Sequence, residues 1–210
     1  MLAALIALLA PPRCLACDVP VTAGAQLCAE CRADTPWLAA SPVGALEVGA
    51  LAQAWSPVAF DGPARALVHA LKFGGRVAAA DVMAAQIAAN APPGLLDDGG
   101  VLVPAPGHPA RTRLRGFDHA DVLARRLAVR TGLPVRALLQ RRGTTRQVGA
   151  GRAQRLRSDL QITARRAFSG RAIVVDDVCT TGATISACAT ELAAAGANSV
   201  VCITYARALG

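Results

Sequence analysis

The stretch Ile173-Val174-Val175-Asp176-Asp177-Val178-Cys179-Thr180-Thr181-Gly182-Ala183-Thr184 decides the fold. The apolar run Ala172 to Val175 shows no alternation, as expected of a central parallel strand covered on both faces. It delivers two carboxylates to one edge of the sheet, and a Thr-Thr-Gly-Ala-Thr turn follows directly before a helix. Ligands of open α/β sheets bind at that carboxyl edge. Gly182 lets a backbone approach a phosphate, while amides at the helix start and the hydroxyls of Thr180, Thr181 and Thr184 can cradle its oxygens. Asp176 and Asp177 would repel a phosphate, so their partners are better sought among the neighbouring hydroxyls of a ribose. An ordinary strand-to-helix turn, with Thr181 or Thr184 as cap, explains one threonine and one aspartate but not all of them.

Working outward, Ala183 to Ala195 reads as a helix closed by Gly196, and Val200 to Tyr205 as a strand. Strand, helix, strand in this order predicts a right-handed βαβ crossover and a parallel α/β sheet flanked by helices. Upstream, Ala64 to Lys72, Val77 to Ala91 and Asp118 to Arg130 have helical spacing. Val101 to Val103 is a buried strand stopped by Pro104-Ala105-Pro106-Gly107, and Val135 to Leu139 reads as another strand. Thr35 to Pro63 is a Pro-, Gly- and Ala-rich connector with one short strand, and Gln140 to Arg157 is an Arg-rich loop able to close as a lid. Residues 1–50 are therefore assigned to a small module and connector, and 54–210 to the large domain.

With 210 residues, 53% hydrophobic and 17% charged, the chain can bury a substantial core and is not disordered overall. The longest strongly apolar stretch, Leu2 to Ala10, is far short of the ~20 residues that span a bilayer. It lacks a basic flank and a small-residue cleavage site, so it reads as a short docking helix of a cytoplasmic protein. The net charge of +8 is unevenly placed: residues 1–110 carry −3, 111–171 carry +13 and 172–210 carry −2. That middle third would attract phosphate-bearing partners, small or polymeric.

Cys14-x-x-Cys17 and Cys28-x-x-Cys31 supply four thiolates in two knuckles, the set a tetrahedral structural zinc needs. Four protein ligands leave the ion no open position, so a folding role is expected. Cys179, Cys188 and Cys202 read as small core residues.

The Asp-Asp and Thr-Thr-Gly-Ala-Thr segment resembles the phosphoribosyl pyrophosphate (PRPP) signature of type I phosphoribosyltransferases. Together with the cysteine pairs, Leu71-Lys72-Phe73-Gly74, Val103-Pro104-Ala105-Pro106, Arg115-Gly116-Phe117 and the arginines after 141, the chain resembles the ComF family of competence-associated proteins, including the GntX-type members. It departs from that family at Asp118-His119, where Asn-Gln is usual, at Ala150 or Gly151, where a Leu is usual, and at Ser158, where an Asn is expected.

The resemblance implies that Thr180, Thr181, Gly182, Ala183 and Thr184 bind the 5′-phosphate and that Asp176 and Asp177 hold the ribose hydroxyls. It also implies that Lys72, Phe73 and Gly74 form a pyrophosphate loop. Lys72 and the arginines at 111, 113 and 115 (Arg111, Arg113 and Arg115) are the candidate catalytic cations, and Mg²⁺ would accompany PRPP while Zn²⁺ fills the cysteine site. The expected activity is transfer of a phosphoribosyl group to an unidentified acceptor. The alternative is a non-catalytic PRPP- or nucleotide-binding, or single-stranded-DNA-handling, adaptor in DNA uptake. The aromatic content, 3%, argues against a stacking-based single-strand binder. His69, His108 and His119 have no partner visible in sequence and default to core or surface roles.

Overall fold

A computed structural model describes residues 12–38, 52–141 and 161–209. The expectations for Leu2 to Ala10 and for most of the Arg-rich segment after Arg141 lie outside the described residues. Helix α1 (Ala29–Ala33) closes the cysteine module. The main body then runs β1 (Ala52–Trp55), β2 (Val58–Ala59), α2 (Gly62–Lys72), α3 (Ala78–Asn90), β3 (Val101–Pro104), α4 (Pro109–Arg115) and α5 (His119–Thr131). It ends with β4 (Leu139–Arg141), β5 (Ile162–Ala164), β6 (Arg171–Cys179), α6 (Ala183–Ala194) and β7 (Ser199–Arg207).

The sheet is parallel throughout, in the order β1-β7-β6-β3, with β2 continuing β1 alongside β7. The β6-α6-β7 unit is the one its sequence predicts, and β6 lies between two neighbours. Successive side chains of β6 enter opposite layers: Ile173 and Val175 join the cluster under α2, α3 and α5, while Ala172 and Val174 join the one under α6. Both faces are thus covered, the reason the strand reads as an unbroken apolar run.

Several elements differ from the sequence expectation. The connector contributes two short strands rather than one, and its Trp37 bridges to Val58, leaving the indole half-exposed while Trp55 is buried. Val135 makes only a single parallel bridge to Leu102, because the strand proper starts at Leu139 and pairs antiparallel with β5 in a separate ribbon. The stop at Pro104-Gly107 gives way to a helix, α4, with Pro109 in its first turn and His108 accepting from the Ala110 amide. β6 also continues through both aspartates to Cys179.

The cysteine module is not a separate bead. Cys14, Leu27 and Cys31 are buried in the same apolar cluster as Leu67, Val68 and Leu71 of α2. Arg76, just past α2, donates to Asp18 in the first knuckle at 2.9 Å. Among the described residues no helix is long and apolar enough to cross a membrane.

Candidate functional site

In the cysteine module, Cys14, Cys17, Cys28 and Cys31 place their sulfur atoms within 4.8 Å of one another. Cys17 and Cys28 are 3.7 Å apart at Sγ, close to the ~3.8 Å edge of a tetrahedron with ~2.3 Å metal–sulfur bonds and far from the ~2.05 Å of a disulfide. The Cys28 amide donates to Cys14 Sγ and the Cys31 amide to Cys28 Sγ, each at 3.4 Å. Although burial works against it, backbone N–H groups of Cys17, Cys28 and Ala16 bring the Cys14 thiol down to about 6. These are the properties of a thiolate site for a tetrahedral ion, and Zn²⁺ fits it.

The second centre is a cleft of about 370 Å³ at the carboxyl ends of β3 and β6. β6 supplies Asp176 and Asp177, the following turn Thr180, the first turn of α6 Thr184, and α2 its last residue, Lys72. The opposite wall is α4, through Arg111 and Arg115, and His119 at the start of α5. Arg111 and Arg115 are one helical turn apart and share a face, whereas Arg113 points away and does not line the cleft. Phe73 lines its mouth and is 71% exposed, with the Arg115 guanidinium 5.3 Å from its ring centre. Gly74 lies outside the lining.

Lys72 Nζ is 2.8 Å from Asp177 Oδ1. Asp177 is 2% exposed, so this is a nearly buried ion pair, and the lysine's charge is shared with a carboxylate rather than held on a free loop. Asp177 Oδ2, also buried, makes no hydrogen bond, and His119 Nε2 lies 3.4 Å from it and 4.0 Å from Asp176 Oδ1. Asp176 Oδ1 accepts from the Asp177 amide. Burial, and then the adjacent Asp177 charge, push the Asp176 carboxyl up to about 8. Burial pushes His119 below the ordinary imidazole value, against the pull of Asp177 and with Lys72 adding to the shift.

At the turn, Gly182 has φ +75° directly before α6, a left-handed conformation that a side chain disfavours, and the Ala183 amide donates to Thr181 Oγ1. Gly182 itself is the N-cap of α6, without a side-chain cap bond, and neither Thr181 nor Thr184 caps the helix; Thr181 accepts from the Ala183 amide at 3.4 Å, while Thr180 and Thr184 line the cleft. Asp118 caps α5 through the Ala120 amide and also accepts from the Gly107 amide at 3.0 Å, clasping the β3–α4 loop. A Cβ on Gly107 would come within 2.9 Å of that carboxylate and 3.0 Å of Thr112 Oγ1, so a larger residue here would displace the Asp118 clasp.

A family model described as a double zinc ribbon domain matches residues 5–43. The chain carries an N-terminal module of that kind, and the four cysteines within the match suffice for one four-coordinate ion. No curated protein matches the chain. The remainder is an α/β body with a parallel sheet flanked by helices.

Sequence reasoning passed over His119, His108 and Thr112, all of which line the cleft. For His119 the signal is its position four residues after Arg115 at the opening of a helix capped by Asp118, which is hidden because Pro104-Ala105-Pro106-Gly107 reads as a loop.

Proposed function

We propose that the protein is a phosphoribosyltransferase-like member of the ComF family. A zinc-bound module over residues 1–50 would be joined to a PRPP-binding domain over 54–210, acting in the cytoplasm. The observation that carries this is the convergence on one cleft of a central-strand carboxylate pair, a threonine turn opening α6, and the cations Lys72, Arg111 and Arg115.

PRPP would be taken as its Mg²⁺ salt, which neutralises part of the pyrophosphate charge. His119, Asp176 and Asp177 bring ligand atoms within 4.8 Å of one another, and Lys72 takes one oxygen of Asp177 while leaving Oδ2 unbonded. Thr180, Thr184 and the α6 amides receive the 5′-phosphate. Asp176, at the cleft surface, accepts from the ribose hydroxyls, and the more deeply buried Asp177 serves chiefly to fix Lys72. Displacement at the ribose C1 breaks the bond to pyrophosphate, whose oxygen keeps the electron pair. Lys72, Arg111 and Arg115 stabilise that charge while the Asp177 carboxylate favours the cationic sugar. The phosphoribosyl group passes to an acceptor with a nucleophilic lone pair.

Calorimetry with PRPP and Mg²⁺ tests this. The Asp176→Asn, Asp177→Asn double variant is expected to lose at least about tenfold in affinity, as the hold of Asp177 on Lys72 and the ribose contacts of Asp176 are disrupted; unchanged affinity rejects the assignment. The +13 charge of residues 111–171 favours the adaptor as a second reading. In that case a single-stranded oligonucleotide protects this segment from proteolysis, PRPP does not, and Lys72→Ala changes neither.

A further inference from the structure

The departure Asp118-His119 places an imidazole between the two walls of the cleft. Arg115 Nη1 is 3.3 Å from His119 Nδ1, and on the other side of the ring Nε2 faces Asp177 Oδ2 at 3.4 Å. A guanidinium has no acceptor, so a hydrogen bond between Arg115 and His119 requires an unprotonated Nδ1. The single ring proton then sits on Nε2, the ring atom 3.4 Å from a buried carboxylate oxygen that no group hydrogen-bonds in this geometry, close enough for a small rotation of the ring to form that bond. The doubly protonated ring would set an N–H against the arginine, and burial opposes that charge as well. The charged groups around the ring come from every side: Asp176 and Asp177 from β6, Lys72 from α2, Arg115 from α4 and Asp118 from the cap of α5.

Arg115 is thereby strung between two supports. Its guanidinium lies over the Phe73 ring at the end of α2 and is tied to His119 at the start of α5. Its other N–H groups make no hydrogen bond among the described residues and remain available in the cleft.

We propose that His119 is a positioning residue which, as its Nε2–H tautomer, sets the anion-binding Arg115 and the buried Asp177 carboxylate from one ring. The registration of the anion side and the sugar side of the cleft then depends on a group with one acceptor and one donor on opposite edges. The assignment of those two sides rests on the phosphoribosyl reading above; the tautomer and the link to Arg115 do not. Glutamine meets the same requirement, with Oε1 for Arg115 and Nε2–H for Asp177, whereas leucine meets neither half and glutamate or lysine only one.

Two measurements on the full zinc-loaded protein decide it. Heteronuclear NMR of ¹⁵N-histidine-labelled wild type at neutral pH is expected to show His119 protonated at Nε2 with a bare Nδ1. A ring protonated at Nδ1 overturns the proposal. Calorimetric titration with PRPP and Mg²⁺, and separately with inorganic pyrophosphate, is expected to place His119→Gln within about threefold of wild type. His119→Leu should be weaker by about tenfold or more, with melting curves verifying that it is folded. Leucine binding as well as histidine, or glutamine failing as badly as leucine, overturns the positioning role. Should His119→Leu not fold, the NMR result and the glutamine rescue still decide. A wild type that binds neither anion rejects the phosphoribosyl reading and this role in it, and the tautomer separately reports whether the ring holds Arg115.

Discussion

Two adjacent aspartates of one strand sit in opposed circumstances. Asp177 is compensated by Lys72, whereas Asp176 is raised to about 8 by burial and by its neighbour. An unfolded aspartate titrates near ~3.9, so between about pH 4 and 8 the folded chain binds more protons at Asp176 than the unfolded chain does. Its contribution to stability therefore falls as pH rises through that window and levels off above about 8. Asp176→Asn is expected to raise stability on the order of 1 kcal/mol near pH 8 and to flatten the dependence. Asp177→Asn leaves Lys72 without its partner and should cost about 1–3 kcal/mol, short of the full value for a buried pair because the lysine is partly exposed. Urea melts of both variants from pH 5 to 9 check the opposite signs. Same-sign effects would show that the two carboxylates share one environment.

Among elements, α2 joins the metal module to the cleft. Its apolar face, Leu67, Val68 and Leu71, packs in the cluster that contains Cys14, Leu27 and Cys31, and its last residue is Lys72. Removing the ion by chelation, or changing Cys14 and Cys17 to Ser, should loosen that face as well as the knuckle. We expect melting to fall on the order of 5–10 °C, for a loss of two to three kcal/mol at about 2–4 °C per kcal/mol. Amide exchange should also rise across residues 62–77, and an unchanged rate there would show that α2 is held by the sheet alone. That connection was not legible in the sequence, because the spacing of cysteines specifies a local ligand set but not the surface it packs on. The βαβ unit was legible from its apolar run, Gly196 and the following strand, each a local signal. α4 was missed because Pro104-Ala105-Pro106-Gly107 reads as a loop, and a seven-residue helix with no buried residue offers no apolar period to detect. Asp176, Asp177 and the threonine turn were visible because they are contiguous. The ring that links Asp177 to Arg115 was not, since it spans three elements.

At the scale of the molecule, two uses of arginine stand out among the described residues. On α5, Arg125 pairs with Asp121 of its own helix, Arg126 approaches Asp81 of α3 at 3.5 Å, and Arg130 donates to the Asp81 carbonyl. Arg171 is spent on the carbonyls of Gly94, Leu95 and Gly99. Arg111, Arg115 and Arg141 line the cleft instead. Segment charge alone could not separate helix-fastening arginines from ligand-facing ones, as both have the same composition. The placement of the two tryptophans has an optical consequence. Trp55 is sealed at 5% exposure within the sheet, while Trp37, bridged to Val58 at the end of the cysteine module, is 47% exposed. The intrinsic emission should therefore resolve into a blue component that acrylamide scarcely quenches and a red one that it quenches readily, so a single cuvette reports the metal module and the sheet as two separate colours.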